Sequence, residues 1–554
     1  MDKKTILAFA LSFVVLVGWS LFFSPEPKQA PIEKDIAVQN IQPAPIGGKS
    51  SVNVATVPPP GPVAAAEQTV FQVEEKRIEI DTPLYKVVFS NVGPTIKSFK
   101  LKKYRQTTHP DSPYVELVTL EQGMGDYLTV QFDDNTVGNV NNKVFSVDRD
   151  YLKLNQESEP ATIAFQGTSQ NGIAITQTYR FYPGRYGIDL AVTAANRTEN
   201  AVNGVFRTTL KALPPQSKTS YYAYVGLALF LDNKLEEIKV GDPGEEESVN
   251  GNIGWVSYED SYFISALVPK IPSKGSFKAK HLPSGVLEGV FLPPSVSLPP
   301  SAQATSEYQL YLGPRELGPL KKFGKNLDRA IDFGWTDIIA KPLLYVLRFF
   351  DQYIHNYGLS IILLTILVKA LFWPLTHKSY KSMKEMQKLQ PRMAKLREKH
   401  KGDKQKLNQE MMGLYKTYKV NPMGGCLPMV VQIPVFFALY RVLGTCIELR
   451  HAPFMLWIND LSAPGRLFHF SFTIPFMTPP YGIPVLTLLM GASMFLQQKM
   501  TPTPGDPTQA KIMMFLPVIF TFMFINFPSG LVLYWLVNNL LSIGQQYRIY
   551  KKPA

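Results

Sequence analysis

The sequence predicts a multidomain membrane protein: an all-α transmembrane bundle joined to a large exported antiparallel β-sandwich. Three features of the 554-residue chain carry that expectation. Residues 68–328 are polar, with short runs in which apolar and polar residues alternate; from about Ile338 onward long apolar stretches dominate; and a basic segment, 377–422, interrupts them. The mean hydropathy of −0.03 averages over these unlike halves. Methionine marks the same division, since apart from Met1 and Met124 every Met lies at or beyond Met383. The net charge of +13 has to be read by position, because charge beside a membrane segment sets orientation rather than fold.

In chain order, Met1-Asp2-Lys3-Lys4 precedes an apolar run from Ile6 to Phe23. At ~1.5 Å per residue this run nearly spans the ~30 Å of a bilayer core. Gly18 and Ser20 offer a signal-cleavage site, but Trp19, Leu21 and Phe22 crowd it. The run is also longer than a usual signal core, so residues 1–24 are expected to stay as an anchor. Residues 25–67 are a Pro- and Ala-rich linker, including Pro58-Pro59-Pro60, with no core-forming pattern. Five more candidate spans follow, at 358–376, 426–446, 481–500, 510–527 and 528–546, making six in all. Pro428, Pro434, Pro484 and Pro517 within them are tolerable where neighbouring helices satisfy the freed carbonyls.

Lys and Arg in the short loops orient these spans. Lys3 and Lys4, the basic loop 377–422 and the tail Arg548 to Lys552 are all expected on the cytoplasmic side. Six spans satisfy these constraints and place residues 68–328 on the far side. Strands are expected there from alternation, as in Arg77-Ile78-Glu79-Ile80-Asp81 and from Gly172 to Tyr179. That domain holds only His109 and His281, no cysteine and no Gly-rich phosphate loop, so it reads as a binding or scaffolding module without catalytic or metal-ligating residues. The acidic run Glu245-Glu246-Glu247 reads as a solvated turn. The two cysteines, Cys426 and Cys446, flank one apolar segment, about 30 Å apart if it is helical, too far for a disulfide.

Residues 338–357 set Leu344, Leu347 and Phe350 against Arg348, Asp351 and Gln352, which predicts an amphipathic helix lying on the outer membrane surface. Within 377–422, Met383, Met386, Leu389, Met393 and Leu396, then Leu407, Met411, Leu414 and Tyr418, recur in three- and four-residue steps. Separated by His400-Lys401-Gly402-Asp403, they predict an antiparallel helical hairpin with a narrow apolar seam. The methionines either only glue that seam or, with Lys388, Arg392, Lys395, Arg397 and Lys399, form a docking surface for ribosomal RNA, acidic lipid or a targeting factor.

Lys369 stands inside the run Leu363 to Trp373. A charge at the centre of a span costs ~3 kcal/mol or more and usually faces a wet cavity. The alternative is snorkelling toward the cytoplasmic end, about 10 Å of helix rise away. Thr365 lies one turn from Lys369, and Gln432, Gln497, Gln498, Asn538, Asn539 and Ser542 stud the later spans. Together these suggest a hydrated groove on the cytoplasmic side of the core 358–554.

The chain resembles the YidC-type membrane protein insertases of Gram-negative bacteria. The strings that carry the resemblance are Gln409-Glu410-Met411-Met412, Asn421-Pro422-Met423-Gly424-Gly425-Cys426-Leu427-Pro428, Gln432-Ile433-Pro434-Val435-Phe436 and Phe527-Pro528-Ser529-Gly530-Leu531-Val532-Leu533-Tyr534-Trp535. The resemblance implies a periplasmic β-sandwich, similar to sugar-mutarotase folds without their activity, and a five-helix core whose groove opens to cytoplasm and lipid. It implies an inner-membrane protein that is not an enzyme and has no cofactor, metal or DNA partner. Its implied partners are nascent inner-membrane proteins, the Sec translocon, the ribosome through the cytoplasmic loop, and the phospholipid bilayer. The groove charge, typically Arg in that family, falls on Lys369, and Thr365, Gln432 and Trp535 match groove-lining or client-contact positions. Lys in place of Arg keeps the attraction but loses bidentate carboxylate capture. The short tail ending at Ala554 weakens the expectation of tail-mediated ribosome binding. A small-solute transporter or channel, the competing class, would show paired internal repeats, and none is found. A membrane-anchored carbohydrate enzyme is disfavoured by the scarcity of His.

Overall fold

The computed structural model describes residues 75–551, except 122, 134–143, 170–171, 216–222, 401, 419, 421–426 and 502–506. The expected anchor 1–24, the linker 25–67 and Cys426 lie outside the described residues. So does most of the string from Asn421 to Pro428.

Alternation becomes inside and outside in the first half. Along the strand Arg77–Asp81, Ile78 and Ile80 are fully buried. Along Ile173–Phe181 the inward positions are Ile173, Ile175, Gln177, Tyr179 and Phe181. Gln177 is the polar exception, and it is satisfied: its Nε2 donates to the Val130 carbonyl at 2.9 Å and its Oε1 accepts from the Tyr179 hydroxyl at 3.0 Å. A five-stranded sheet and a 14-stranded sheet result. They pack face to face through Phe89 of the smaller sheet, whose ring centroid lies 5.8, 4.8 and 6.2 Å from those of Phe165, Tyr179 and Phe181. The expectation of a purely antiparallel sandwich needs one correction. Arg77–Asp81 pairs in parallel with Tyr151–Lys153, with Glu79 opposite Tyr151. A parallel pair needs a long crossover, and the intervening strands, which visit both sheets, supply it.

The last strand of the two large sheets, Gln303–Pro314, hands the chain to the helical half through a junction built on arginine. Arg315 donates from Nε and Nη2 to the Ala330 carbonyl, at 3.1 and 2.6 Å, and from Nη1 to the Asp260 carbonyl at 3.2 Å. It also pairs at 3.3 Å with Glu259, a carboxylate whose side chain is 1% exposed. Burial on that scale is tolerable only with a partner held this firmly. Helix α1, Leu317–Phe323, and two short turns then lead to α2, Asp337–Ile354. Helix α2 buries Ala340, Leu344 and Leu347 and leaves Ile338, Tyr345, Phe349 and Tyr353 exposed. From its polar side Arg348 reaches Glu316 at 3.4 Å and Glu448 at 3.8 Å. The second contact is an ion-pair separation without a hydrogen bond, and Glu448 Oε1 has no hydrogen-bond partner.

Helix α2 stops at His355, whose φ of 57° is the left-handed conformation common just past a helix end. Asn356 then caps α3, Tyr357–Leu371, accepting from the Leu359 amide at 3.0 Å. Here the structure departs from the expected single span over 358–376. The helix breaks at Phe372 and resumes as α4, Trp373–Lys399, with a bend of 65° between the two. Pro374 explains the restart: lacking an amide hydrogen, it fits the first turn of a new helix and not the middle of an old one. Helix α5, Lys404–Thr417, is capped by Asp403 and folds back on α4. Tyr415 lies 4.0 Å from the Met393 sulfur, and the Arg392 guanidinium sits 4.8 Å over the Tyr418 ring.

Helices α6, Leu427–Thr445, α7, Val485–Met500, α8, Pro507–Met523, and α9, Ser529–Lys551, complete the chain. The fourth candidate span starts later than expected, because Tyr481–Ile483 is a strand paired with Leu467–Phe470. Cys446 is a buried free thiol. Leu347, Ile361, Leu364, Leu439, Met490 and Leu533 share one apolar core across these helices. Yet outward positions are apolar too: Leu363, Ile366 and Leu367 on α3, Leu488 and Phe495 on α7, and Phe515 and Ile519 on α8 are all exposed. Among the described residues no single helix is long and apolar enough to cross a membrane. The bent pair α3 and α4 is, taken together, and Val431–Thr445 and Met513–Asn526 are shorter apolar stretches.

The junction should respond to pH through Glu448. Burial pushes its carboxyl up to about 7; its own backbone amide and Arg348 oppose the rise, and Glu316 adds to it. The folded value lies above the ordinary 4.5, so the folded form holds the proton more tightly. Its stabilisation is fully present below about pH 4.5 and lost as pH rises through about 7, worth about 3 kcal/mol at most. Thermal unfolding of the full chain in detergent should give a Tm difference between Glu448→Gln and the parent that widens in the variant's favour from about pH 5 to pH 8. A difference that stays flat would remove Glu448 as the titrating group.

Candidate functional site

Helix α9 organises the polar residues of the helical half. Its sequence sets Asn538, Ser542 and Gln545 at steps of four and three, which places them on one face. Each meets a polar group on a different helix. The Gln432 side chain of α6 donates to the Asn538 side chain at 3.2 Å and lies 3.5 Å from the Tyr534 hydroxyl. Lys369 of α3 donates from Nζ to the Ser542 hydroxyl at 2.6 Å. Gln545 exchanges hydrogen bonds with the Thr376 hydroxyl of α4, at 2.9 and 3.1 Å. A second face of α9 carries Asn539, which donates to Ser493 of α7 at 3.0 Å, and Gln546, which donates to the Met500 carbonyl at 3.0 Å.

Lys369 is the centre of this row. It is 6% exposed, and its stem crosses to α9 instead of running along α3 to the chain's basic flank. Among the described residues no carboxylate pairs with it, so a hydroxyl is its hydrogen-bond partner where a counter-charge would normally stand. An ammonium has three donors, and a single Ser leaves capacity for an arriving acceptor. Ser542 in turn donates to the Asn538 carbonyl one turn back, which fixes the hydroxyl's rotamer.

The other predicted positions divide. Thr365 lies on the buried face of α3 with Lys369, but its hydroxyl is turned back onto the Ile361 carbonyl at 2.6 Å. Gln432 joins the row one turn of α9 above Lys369. Trp535 does not join it: its ring packs 4.6 Å from Phe436, 4.6 Å from Phe524 and 6.1 Å from Phe520, in an aromatic cluster. The hairpin basic residues lie apart from the row. Lys388 pairs with Glu385 at 3.1 Å, Arg392 stacks on Tyr418, and Lys395 and Lys399 are exposed with Arg397 half-buried. The pair Thr376 and Gln545 was not singled out from sequence. The signal that could have found it is the three- and four-residue recurrence of polar residues along α9.

Comparison with known proteins covers both halves. Residues 77–346 match the family model of the YidC periplasmic domain, and residues 349–554 match that of the 60Kd inner membrane protein. The membrane protein insertase YidC of Syntrophus aciditrophicus is 44% identical over 100% of both chains. That of Geobacter metallireducens is 43% identical over 100% of this chain and 99% of its own. A solved active YidC insertase, with its first transmembrane domain resolved, is 18% identical and covers 87% of this chain and 94% of its own, with a TM-score of 0.37.

Two substitutions should separate packing from polarity at the site. Trp535→Ala removes a large ring from a filled aromatic cluster and should destabilise the protein by ~3–5 kcal/mol. Lys369→Met replaces a buried charge, met by no carboxylate among the described residues, by an apolar chain of similar length and should leave stability unchanged or raise it by about 1 kcal/mol or more. Thermal unfolding in detergent reads both, and the reverse ordering would make the ammonium a structural element.

Proposed function

The chain belongs to the YidC family of membrane protein insertases, and on that premise we propose that it inserts newly made inner-membrane proteins through a polar groove whose attracting charge is Lys369. It is a membrane protein insertase of the bacterial inner membrane, with a β-rich periplasmic domain. The finer reading is that six spans cross the membrane, the anchor 1–24 and five in the core 358–554, with both termini and the hairpin 377–422 in the cytoplasm. The exposed apolar residues of α3, α7 and α8 support a bilayer around the helical half, since apolar faces that broad would be unstable in water. The basic content of the hairpin supports its cytoplasmic side. On the same reading the domain over 68–328 is periplasmic, and α2 lies along the outer surface.

The observation that carries the groove reading is a buried ammonium bonded to a hydroxyl, with no carboxylate beside it among the described residues. A client's acidic or polar tail supplies the missing acceptor. It enters from the cytoplasm, exchanges its hydration for the row formed by Gln432, Asn538, Lys369, Ser542, Thr376 and Gln545, and so meets a lower barrier than bare hydrocarbon would present. Its apolar segment slides along the lipid-facing helices. Trp535 and its aromatic cluster form the firm wall behind the row, and no covalent step or nucleotide is needed. The membrane potential assists an acidic tail moving outward by about 2.3 kcal/mol per charge per 100 mV. Lys388, Arg392, Lys395, Arg397 and Lys399 offer the ribosome or acidic lipid a cationic face, and the protein works alone or beside the Sec translocon.

A photo-crosslinker at Gln432 should trap nascent membrane proteins during translation into vesicles. Insertion of acidic-tailed clients should fall about tenfold in Lys369→Glu, corresponding to ~1.4 kcal/mol, and persist in Lys369→Arg. If Lys369→Ala and Lys369→Glu both leave that insertion unchanged, Lys369 does not supply the attraction.

A further inference from the structure

The helical half and the β-rich domain meet at a second basic feature, remote from the row on α9. A cleft of about 470 Å³ lies between the end of the strand Thr95–Arg105 and the loop that follows α6. Lys102, Lys103 and Arg105 line it from one side, and His451, Pro453 and Asn459 from the other. Its charge is only partly met. Lys102 is bonded to Asp81, and His451 faces Asp460 at 3.9 Å. Arg105 donates to the Ser112 carbonyl at 2.6 Å and stacks over Tyr114, neither of which neutralises it. Lys103 is exposed and pairs with no carboxylate among the described residues. Next to His451, Arg450 stacks over Tyr262 and Phe263 and donates to the Gln106 carbonyl at 3.2 Å, and its charge is shared with the Asp460 and Asp260 carboxylates, so the unmet charge of the cleft rests on Lys103 and Arg105.

A positive cleft alone would suit any anion, but the loop that closes it carries a second signal. Between Pro453 and Asn459 it turns Met455 and Leu456 outward, 48% and 82% exposed. Leu456 holds a φ of 56°, a conformation a leucine rarely adopts, so the turn presents this side chain at its tip. Exposed leucine beside unneutralised cations is the arrangement that meets an amphiphile, chain against chain and anionic group against charge.

We propose that this cleft binds the phosphoryl headgroup of an anionic phospholipid of the outer leaflet, with an acyl chain lying against Met455 and Leu456. The proposal rests on the orientation given above, which puts this loop at the outer face of the membrane. Bound there, a lipid ties the β-rich domain to the bilayer through Lys103 and Arg105 while the loop inserts its apolar tip.

The test uses the full-length protein in vesicles containing phosphatidylglycerol with a photoreactive group near its headgroup. Mass spectrometry should find crosslinks in peptides covering residues 102–108 and 451–459. These should fall roughly tenfold or more in the double variant Lys103→Glu, Arg105→Glu, and return in Lys103→Arg, Arg105→Lys. They should persist with the cytoplasmic control Lys395→Glu, Lys399→Glu, and with millimolar inorganic phosphate added. A photoreactive phosphatidylcholine should label these peptides no more than the double variant does. Crosslinks absent from both peptides, or unaffected by Lys103→Glu, Arg105→Glu, would overturn the site. Complete competition by inorganic phosphate would overturn the lipid and make the cleft a free-anion site. Client insertion by the same vesicles is read separately, so failure of the lipid site and failure of the insertase reading are told apart.

Discussion

The helical half is conditioned by a buried ammonium that meets no counter-charge among the described residues. Among the described residues Lys369 is held by the Ser542 hydroxyl, in a bundle whose core and outward faces are largely apolar. Such a group would destabilise the bundle unless the polar residues around it were already placed, and α9 places them. Ser542 is oriented by the Asn538 carbonyl, Asn538 is engaged by Gln432, and Gln545 is engaged by Thr376. The row therefore keeps its shape without the charge being neutralised. On the proposed reading that condition suits a transient client, because an arriving acceptor finds a donor that no acid among the described residues has claimed.

Much of this organisation was legible in the chain. Period-two alternation gave Ile78 and Ile80, or Tyr179 and Phe181, their inward direction, because a strand with one face on a core has little choice. Lys369 stood out because a cation amid leucines must either snorkel or face something polar, and the Thr, Gln, Asn and Ser residues of the other spans favoured the second. What the sequence could not show was pairing at long range. Nothing local says that Arg77–Asp81 runs parallel to Tyr151–Lys153, or that Lys369 meets a hydroxyl 173 residues away. Trp535 illustrates a different limit: adjacent to Tyr534 in the chain, it faces phenylalanines while Tyr534 faces Gln432, since neighbours on a helix point about 100° apart. The break at Phe372 was hidden as well, because hydropathy reports where an apolar run gives way to a basic one and is blind to a bend at that boundary.

The two halves are joined by charge rather than by apolar contact alone. Arg315 closes the end of the last strand onto Ala330, Asp260 and Glu259, and Arg348 of α2 spans Glu316 and Glu448 from the two sides. Charged contacts of this kind are directional, so they set the angle between the β-rich domain and the helices as well as their adhesion. Helix α2 is consequently fixed by its charged edge, while Phe349 and Tyr353 stay exposed.

The elbow at Phe372 has a mechanical corollary. Helix α4 extends 27 residues beyond it, a rod of about 40 Å, and the Lys369 ammonium sits within a turn of the pivot. A rotation of only about 5° at the elbow swings the far end of that rod by roughly 3.5 Å while the ammonium scarcely moves. The hairpin tip thus works as the long arm of a lever whose fulcrum lies beside the charge. Any force on the tip is therefore concentrated where α4 is fastened to α9, at Thr376 with Gln545 and at Lys384 with the Ile549 carbonyl.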